Sequence, residues 1–413
     1  MERGELAHIL VSNTHGGALR GPEGATLLRE ADPLAFKRSL AGLAAGDGAV
    51  LLGDPSWGSA ESLEAARLLR LAGRPGGRGW LCIPTGGSSG RLRFACHDQD
   101  TLKAAVEGFR SHFGLGSVNA VGVLPLHHVS GLMAWLRCAL SGGQHLDWGW
   151  RALEEGRVPV LGEGDWVISL VPTQLQRLLQ NPALRSWLGR FRVIFLGGAP
   201  AWPSLLEEAR AAGLPLSLSY GMTETAAMVA ALRPVEFLSG SWSSGTAMPH
   251  ACVRLSEEGL VCISGSSLMR GYLGGEPRQG DFVTQDLGRL DGLGRLHIEG
   301  RSDAVIITGA EKVSPVELEA QIRAAGWNSD LAVIGLPDPD WGSRVVACVP
   351  PGVPSGDFER VQAVLRGSLA SFKRPKEWIV IDPWPRSAQG KINRARLAEL
   401  ALSPSASRVR WEA

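Results

Sequence analysis

The sequence predicts an α/β chain. It has a large N-terminal part of helix-covered sheets with a β subdomain, then a small mobile α+β C-terminal part. Three observations lead there. From residue 80 to about 220, short apolar runs alternate with Gly-rich or polar loops and amphipathic stretches, the pattern of a parallel sheet covered by helices. From 241 to 300 the texture changes to short β runs separated by glycines. After Arg301-Ser302-Asp303 helical and strand patterns mix again. At 413 residues the chain exceeds one ordinary core, and the expected division is 1–302 and 303–413.

Residues 1–80 read as short helices and loops, with a helix over 61–71 whose apolar positions are Leu63, Leu68, Leu69 and Leu71. Residues 74–79 form a turn rich in Gly and Arg. Trp80-Leu81-Cys82-Ile83 is a strand that feeds Thr85-Gly86-Gly87-Ser88-Ser89-Gly90. A helix follows over 101–113, with Leu102, Val106 and Phe109 on one side. Strands are expected at 120–124, 166–171, 193–196 and 216–219, the last ending at Tyr220. Helices are expected at 173–180 and 205–212. Antiparallel β runs lie at 253–255, 260–263 and 295–298. The C-terminal unit offers helices at 315–325 and 358–369, and strands at 331–334 and 344–349.

Composition excludes several classes. The apolar fraction is 44% and the charged fraction 20%, as in a soluble globular protein. Net charge is +1, so no global field points to nucleic acid or to an anionic membrane. The six cysteines are scattered without a Cys-x-x-Cys pair, which reads as reduced thiols in a cytoplasmic protein and not as a zinc site. The N-terminus lacks a long apolar stretch of secretory type. The most apolar run, 120–140, is interrupted by His127, His128 and Arg137, so no membrane span is expected.

Several short stretches carry chemistry. In Thr85-Gly86-Gly87-Ser88-Ser89-Gly90, glycines admit backbone N–H groups close to a phosphate and hydroxyls add donors. It is not a Walker loop, because no Gly-Lys-[Ser/Thr] follows; the downstream cations are Arg91 and Arg93. Tyr220-Gly221-Met222-Thr223-Glu224-Thr225 puts a carboxylate beside a hydroxyl at a strand end, suited to a Mg²⁺ on phosphate oxygens; the plain alternative is a helix cap. Only two tyrosines exist, Tyr220 and Tyr272, and both lie in such stretches. Asp286 can accept from ribose hydroxyls and Arg301 can contact ribose or phosphate, although a turn residue is the simpler reading of Asp286 alone. Lys391 lies in a Gly-containing polar loop and can bring positive charge to a phosphate.

In order and rough spacing these stretches resemble the superfamily of acyl-CoA synthetases, nonribosomal adenylation domains and luciferases, over about residues 80–400. The resemblance implies ATP, Mg²⁺ and coenzyme A as reaction partners of a small carboxylic acid. It implies that 85–90 close over the ATP phosphates, that Thr223 contacts phosphate and that Glu224 holds the metal. Gly198 and Ala199 match the segment beside adenine and the acyl group. Asp286 and Arg301 match ribose contacts, Asp303 the hinge between domains, Gly309 the loop that lines the CoA tunnel, and Lys391 the adenylation lysine. His128 matches an aromatic-or-histidine position near the acyl pocket.

Within the superfamily the chain is most similar to the o-succinylbenzoate–CoA ligases of menaquinone and phylloquinone synthesis, through Leu124-Pro125-Leu126-His127-His128-Val129-Ser130-Gly131-Leu132 and Val171-Pro172-Thr173-Gln174-Leu175. The loop lacks the family's usual lysine, and Ala310 replaces a glycine of the swinging loop. Two other functions stay open on the residues alone. One is an adenylation enzyme that loads an aryl or other acid onto a carrier protein. The other is a nucleotide-binding homologue without catalysis.

Overall fold

The apolar runs between residues 81 and 231 become strands of two sheets in the computed structural model. The structure describes residues 2–3, 5–6, 10, 24–72, 79–86, 92–309, 311–386, 392–403 and 406–410. The larger sheet runs Thr246–Ala247, Ala227–Ala231, Leu216–Met222, Val193–Leu196, Trp166–Leu170, Asn119–Gly122, His145–Asp147. The last five are parallel, and the first two join antiparallel at one edge. Strand side chains alternate between faces. Accordingly Val167, Val193 and Phe195 enter one core with Phe109, while Ile168, Ile194 and Leu196 enter another with Leu175, Leu178 and Leu205. Both faces are buried, so these strands read as continuous apolar runs.

The helix Gln99–Phe113 starts two residues before the expected 101 because Asp98 caps it: its carboxylate accepts from the N–H groups of Asp100 and Thr101. Gly114 ends it at φ +64°, where a residue with a Cβ is disfavoured. The helices expected at 173–180 and 205–212 are Pro172–Leu179 and Pro203–Ala211, each with proline in its first turn.

Two expectations are corrected. Residues 1–80 hold strands as well as helices. Thr26–Leu28 pairs in parallel with Val50–Leu52, which in turn pairs in parallel with Leu81–Gly86, so the apolar run becomes part of a five-stranded sheet. Three-residue strands are too short to show an alternation. In the helix Ser59–Ala72, Leu63 is 72% exposed; Ala65 and Leu68 make the buried contacts.

The third sheet is antiparallel, as expected: Ala251–Leu255, Leu260–Gly265, Phe282–Leu290 and Leu296–Arg301. It packs Val253, Ile263 and Leu296 against Tyr220 and Val229 of the larger sheet. Beyond Arg301 come a hairpin, Ile306–Thr308 with Glu311–Val313, and a sheet of Ala332–Asp338, Gly342–Val349, Glu377–Val380 and Ser407–Arg410. Helices Pro315–Ala324 and Ser355–Ser368 cover one apolar face of that sheet, and Leu397 and Ala401 pack on the other. Its centre is Trp378, fully buried and stacked on Trp327 at 4.7 Å. Arg323 reaches out of this unit to lie over the Trp202 ring, 4.2 Å from its centroid. Among the described residues no helix is long and apolar enough to cross a membrane.

Trp378→Ala removes a large side chain from the centre of the C-terminal core, and such truncations cost about 3–5 kcal/mol. Denaturant unfolding followed by circular dichroism should show the C-terminal unit destabilised by that amount. A loss under about 1 kcal/mol would contradict this packing.

Candidate active site

The strand Leu216–Met222 runs past the expected end at 219, so Tyr220 and Gly221 are strand residues. Its antiparallel partner Ala227–Ala231 approaches so closely that a Cβ at Gly221 would stand 2.0 Å from the Ala227 carbonyl oxygen. Glycine is therefore required there. The connection is the single turn Thr223–Thr225. Ala226 and Ala227 leave it at φ +51° and +82°, a conformation disfavoured for a residue with a Cβ. The fully buried Thr225 holds the turn, its hydroxyl accepting from the Met222 N–H at 3.0 Å. Below it His97, buried completely, donates from Nε2 to the Thr223 carbonyl at 2.8 Å. Burial lowers the His97 pKa to about 4, so the ring is neutral at pH 7. A carbonyl only accepts, which puts the ring proton on Nε2.

The turn presents Glu224, 6% exposed. Its Oε1 accepts from the Tyr272 hydroxyl at 2.7 Å and from Thr85 Oγ1 at 3.4 Å. Both partners are neutral. Burial, then the Glu224 charge and hydrogen bond, push the Tyr272 hydroxyl well above its usual range, so it stays a donor. Arg93 lies over the Tyr272 ring at 4.5 Å. Thr85 and Gly86 end the strand Leu81–Gly86 and pair with Arg93 and Leu92 of Leu92–His97. The Gly-rich loop thus joins two antiparallel strands, with no helix start behind it. Gly87, Ser88, Ser89 and Gly90 lie outside the described residues.

A second carboxylate repeats the arrangement. Asp286 Oδ2 accepts from the Tyr220 hydroxyl at 2.6 Å, and its Oδ1 stands 3.4 Å from Arg301. Asp286 and Arg301 are register partners on neighbouring strands, so pairing alone sets them side by side. Arg301 also grips Asp303 with two bonds, at 2.8 and 2.7 Å. Burial and the Asp286 charge push the Tyr220 hydroxyl upward too. The only two tyrosines of the chain each donate to one of the two candidate carboxylates.

Gly198 and Ala199 follow the strand Val193–Leu196, parallel to the Tyr220 strand. Gly198 has φ +81°, and a Cβ on the preceding Gly197 would meet Ser219 Oγ at 3.2 Å. This segment therefore borders the Tyr220 residues. The other candidates are placed elsewhere. His128 starts the helix Val129–Ser141 and stands 3.8 Å from Asp54, beside His127. Gly309, at φ +55°, is packed on the Trp341 ring and donates its N–H to the Trp341 carbonyl. Lys391 lies outside the described residues; Arg386 and Ile392 on either side of its loop form an antiparallel bridge.

Sequence reading missed His97, Asp54 and the site contact of Tyr272. Tyr272 had a signal in the scarcity of tyrosine. His97 had none, since its partner is 126 residues away.

A family model described as AMP-binding enzyme matches residues 80–273, and one described as AMP-binding enzyme C-terminal domain matches 317–391. The chain is similar to the 2-succinylbenzoate–CoA ligase of Listeria monocytogenes, 35% identical over 67% of this chain and 60% of that protein. It is also similar to the indoleacetate–CoA ligase of Aromatoleum aromaticum, 30% identical over 78% of this chain and 67% of that one. The alignment with the Listeria protein thus spans less than two thirds of that relative's length. The fold matches that of the o-succinylbenzoate–CoA synthetase of Bacillus subtilis, solved with its acyl-adenylate intermediate. The TM-score is 0.74 and the identity 21%, over 100% of this chain and 93% of that one. The chain belongs to the adenylate-forming AMP-binding enzyme family.

Proposed function

We propose that the protein is an ATP-dependent acid–CoA ligase that forms an acyl-AMP and then an acyl-CoA thioester. The observation that carries this is the tyrosine-held pair of carboxylates, Glu224 and Asp286, on one strand–turn segment and its neighbour. Asp286 has two oxygens, each with further lone-pair capacity, so it can accept from ribose hydroxyls while Tyr220 stays bound. Arg301 adds a cation at the same edge.

Glu224 suits Mg²⁺ on physical grounds. A buried carboxylate needs a compensating charge, and the described hydrogen-bond partners of this one are neutral hydroxyls. Glu224 would hold the ion, which when bound would supply positive charge to the ATP phosphates. Thr85 sets the base of the Gly-rich loop against Glu224, which would bring residues 87–90 over the phosphates. Thr223 would donate to a phosphate from the same turn, and Gly198-Ala199 would border the adenine.

The substrate carboxylate attacks the α-phosphorus of ATP, a P–O bond forms and pyrophosphate departs. Lys391 would stabilise the charge that develops there. The thiol of coenzyme A then attacks the acyl carbon, AMP leaves with the electron pair of the C–O bond, and the thiol proton passes to solvent. Between the steps the part beyond 302 would turn about Asp303, with Gly309 entering on the CoA side. The Arg301–Asp303 pair would span that boundary. We take the acid to be o-succinylbenzoate, supported by the Listeria relative, with His128 near the acyl group, and the setting to be the cytoplasm.

Lys391→Ala should lower adenylation, read as ATP–pyrophosphate exchange, by about 10²–10³-fold, the usual loss of one transition-state donor. Thioester formation from supplied acyl-AMP should persist. Equal loss in both half-reactions would contradict the domain exchange. AMP release in the presence of CoA should appear with o-succinylbenzoate and not with indoleacetate, benzoate, a medium-chain fatty acid or amino acids. Turnover of another acid alone would keep the chemistry and reject the substrate. Thermal stabilisation by ATP with no turnover of any acid would favour a non-catalytic homologue.

A further inference from the structure

Asp54, His127 and His128 come together from distant parts of the chain. Asp54 follows the strand Val50–Leu52, and the histidines precede the helix Val129–Ser141. Asp54 Oδ2 stands 3.5 Å from His127 Nε2 and 3.8 Å from His128 Nε2. The three candidate ligand atoms lie within 4.8 Å of one another, and no other group of three is so disposed among the described residues. We propose that these three side chains bind one divalent transition metal of the zinc class.

Distances and chemistry agree. Zinc binds imidazole nitrogen and carboxylate oxygen at about 2.0–2.2 Å, so neighbouring ligand atoms of a tetrahedral ion lie roughly 3.3–3.5 Å apart. The two Asp54–histidine separations are already close to that. Two histidines and a carboxylate form a common zinc donor set, with one position left for water or another oxygen donor. The carboxylate is also oriented by an outer partner. Asp54 Oδ1 accepts from the Ser56 N–H at 2.8 Å and from its hydroxyl at 2.6 Å, which turns Oδ2 toward the imidazoles. His127 Nε2 is buried and makes no hydrogen bond of good geometry in spite of its 3.5 Å approach. The flanking chain is packed: Leu126, next to His127, and Leu52, two residues before Asp54, are buried in one core with Leu132. The ligand geometry is independent of the ligase reading, although His128 is also the residue proposed above to lie near the acyl group.

The competing account is an ion pair between Asp54 and a protonated imidazole. The test is titration of the full chain, freed of metal with a chelator, using Zn²⁺ in calorimetry and Co²⁺ in visible absorption. One Zn²⁺ per chain is expected, with the intense absorption of low-coordinate Co²⁺, and with affinity falling as pH drops through the imidazole range. Asp54→Asn and His127→Asn should each lower affinity at least about 100-fold. Ser56→Ala, which keeps every ligand, should lower it about 10- to 100-fold, as outer-partner losses do. No stoichiometric binding by the wild type overturns the proposal. So does affinity unchanged in the two ligand variants, or, should those fail to fold, unchanged in Ser56→Ala.

Discussion

Burying a carboxylate is costly unless hydrogen bonds hold it, and at the edge of its central sheets this protein buries Glu224 and partly buries Asp286. Glu224 and Asp286 are each held by a tyrosine hydroxyl, Tyr272 at 2.7 Å and Tyr220 at 2.6 Å. A hydroxyl is a fitting partner because it orients without neutralising. A lysine in the place of Tyr272 would cancel the charge a metal ion needs. Asp286, by contrast, has the Arg301 cation nearby, which suits the contact with neutral ribose hydroxyls proposed for it. The two carboxylates thus have different electrostatic neighbours, in keeping with the different tasks proposed for them.

The rest of the architecture serves the position of these pairs. Gly221 lets two antiparallel strands close, and the chain turns back through Ala226 and Ala227 at positive φ. Such conformations persist only where surroundings over-determine them. Here Thr225 and neutral His97 do so, both completely buried. Tyr272 comes from a two-residue strand on the edge of the other sheet, paired with Ala95, so Glu224 also joins the two sheets.

The fold was largely legible because strands buried on both faces leave uniform apolar runs and amphipathic helices leave a stripe. Phe109 on one face and Leu175 on the other are consequences of that texture. Val50–Leu52 was not legible, since three residues carry no periodicity and its partners are supplied by the tertiary structure. At the site, Glu224 and Asp286 were visible as motif residues, and two tyrosines in 413 residues hinted at special use. Their pairing was not visible, because 66 and 48 residues separate the partners. The Asp54 cluster was hidden likewise: His127 and His128 stood out, but only folding brings the strand end to them.

The central claim is that Tyr272 orients Glu224 for a metal-bound nucleotide. It is tested most directly by the Mg²⁺ dependence of ATP–pyrophosphate exchange in Tyr272→Phe. Losing a hydrogen bond to a charged group costs about 1.5–3 kcal/mol, so the Mg²⁺ concentration for half-maximal exchange should rise about 10- to 100-fold, with the fold intact. An unchanged Mg²⁺ requirement would contradict the account.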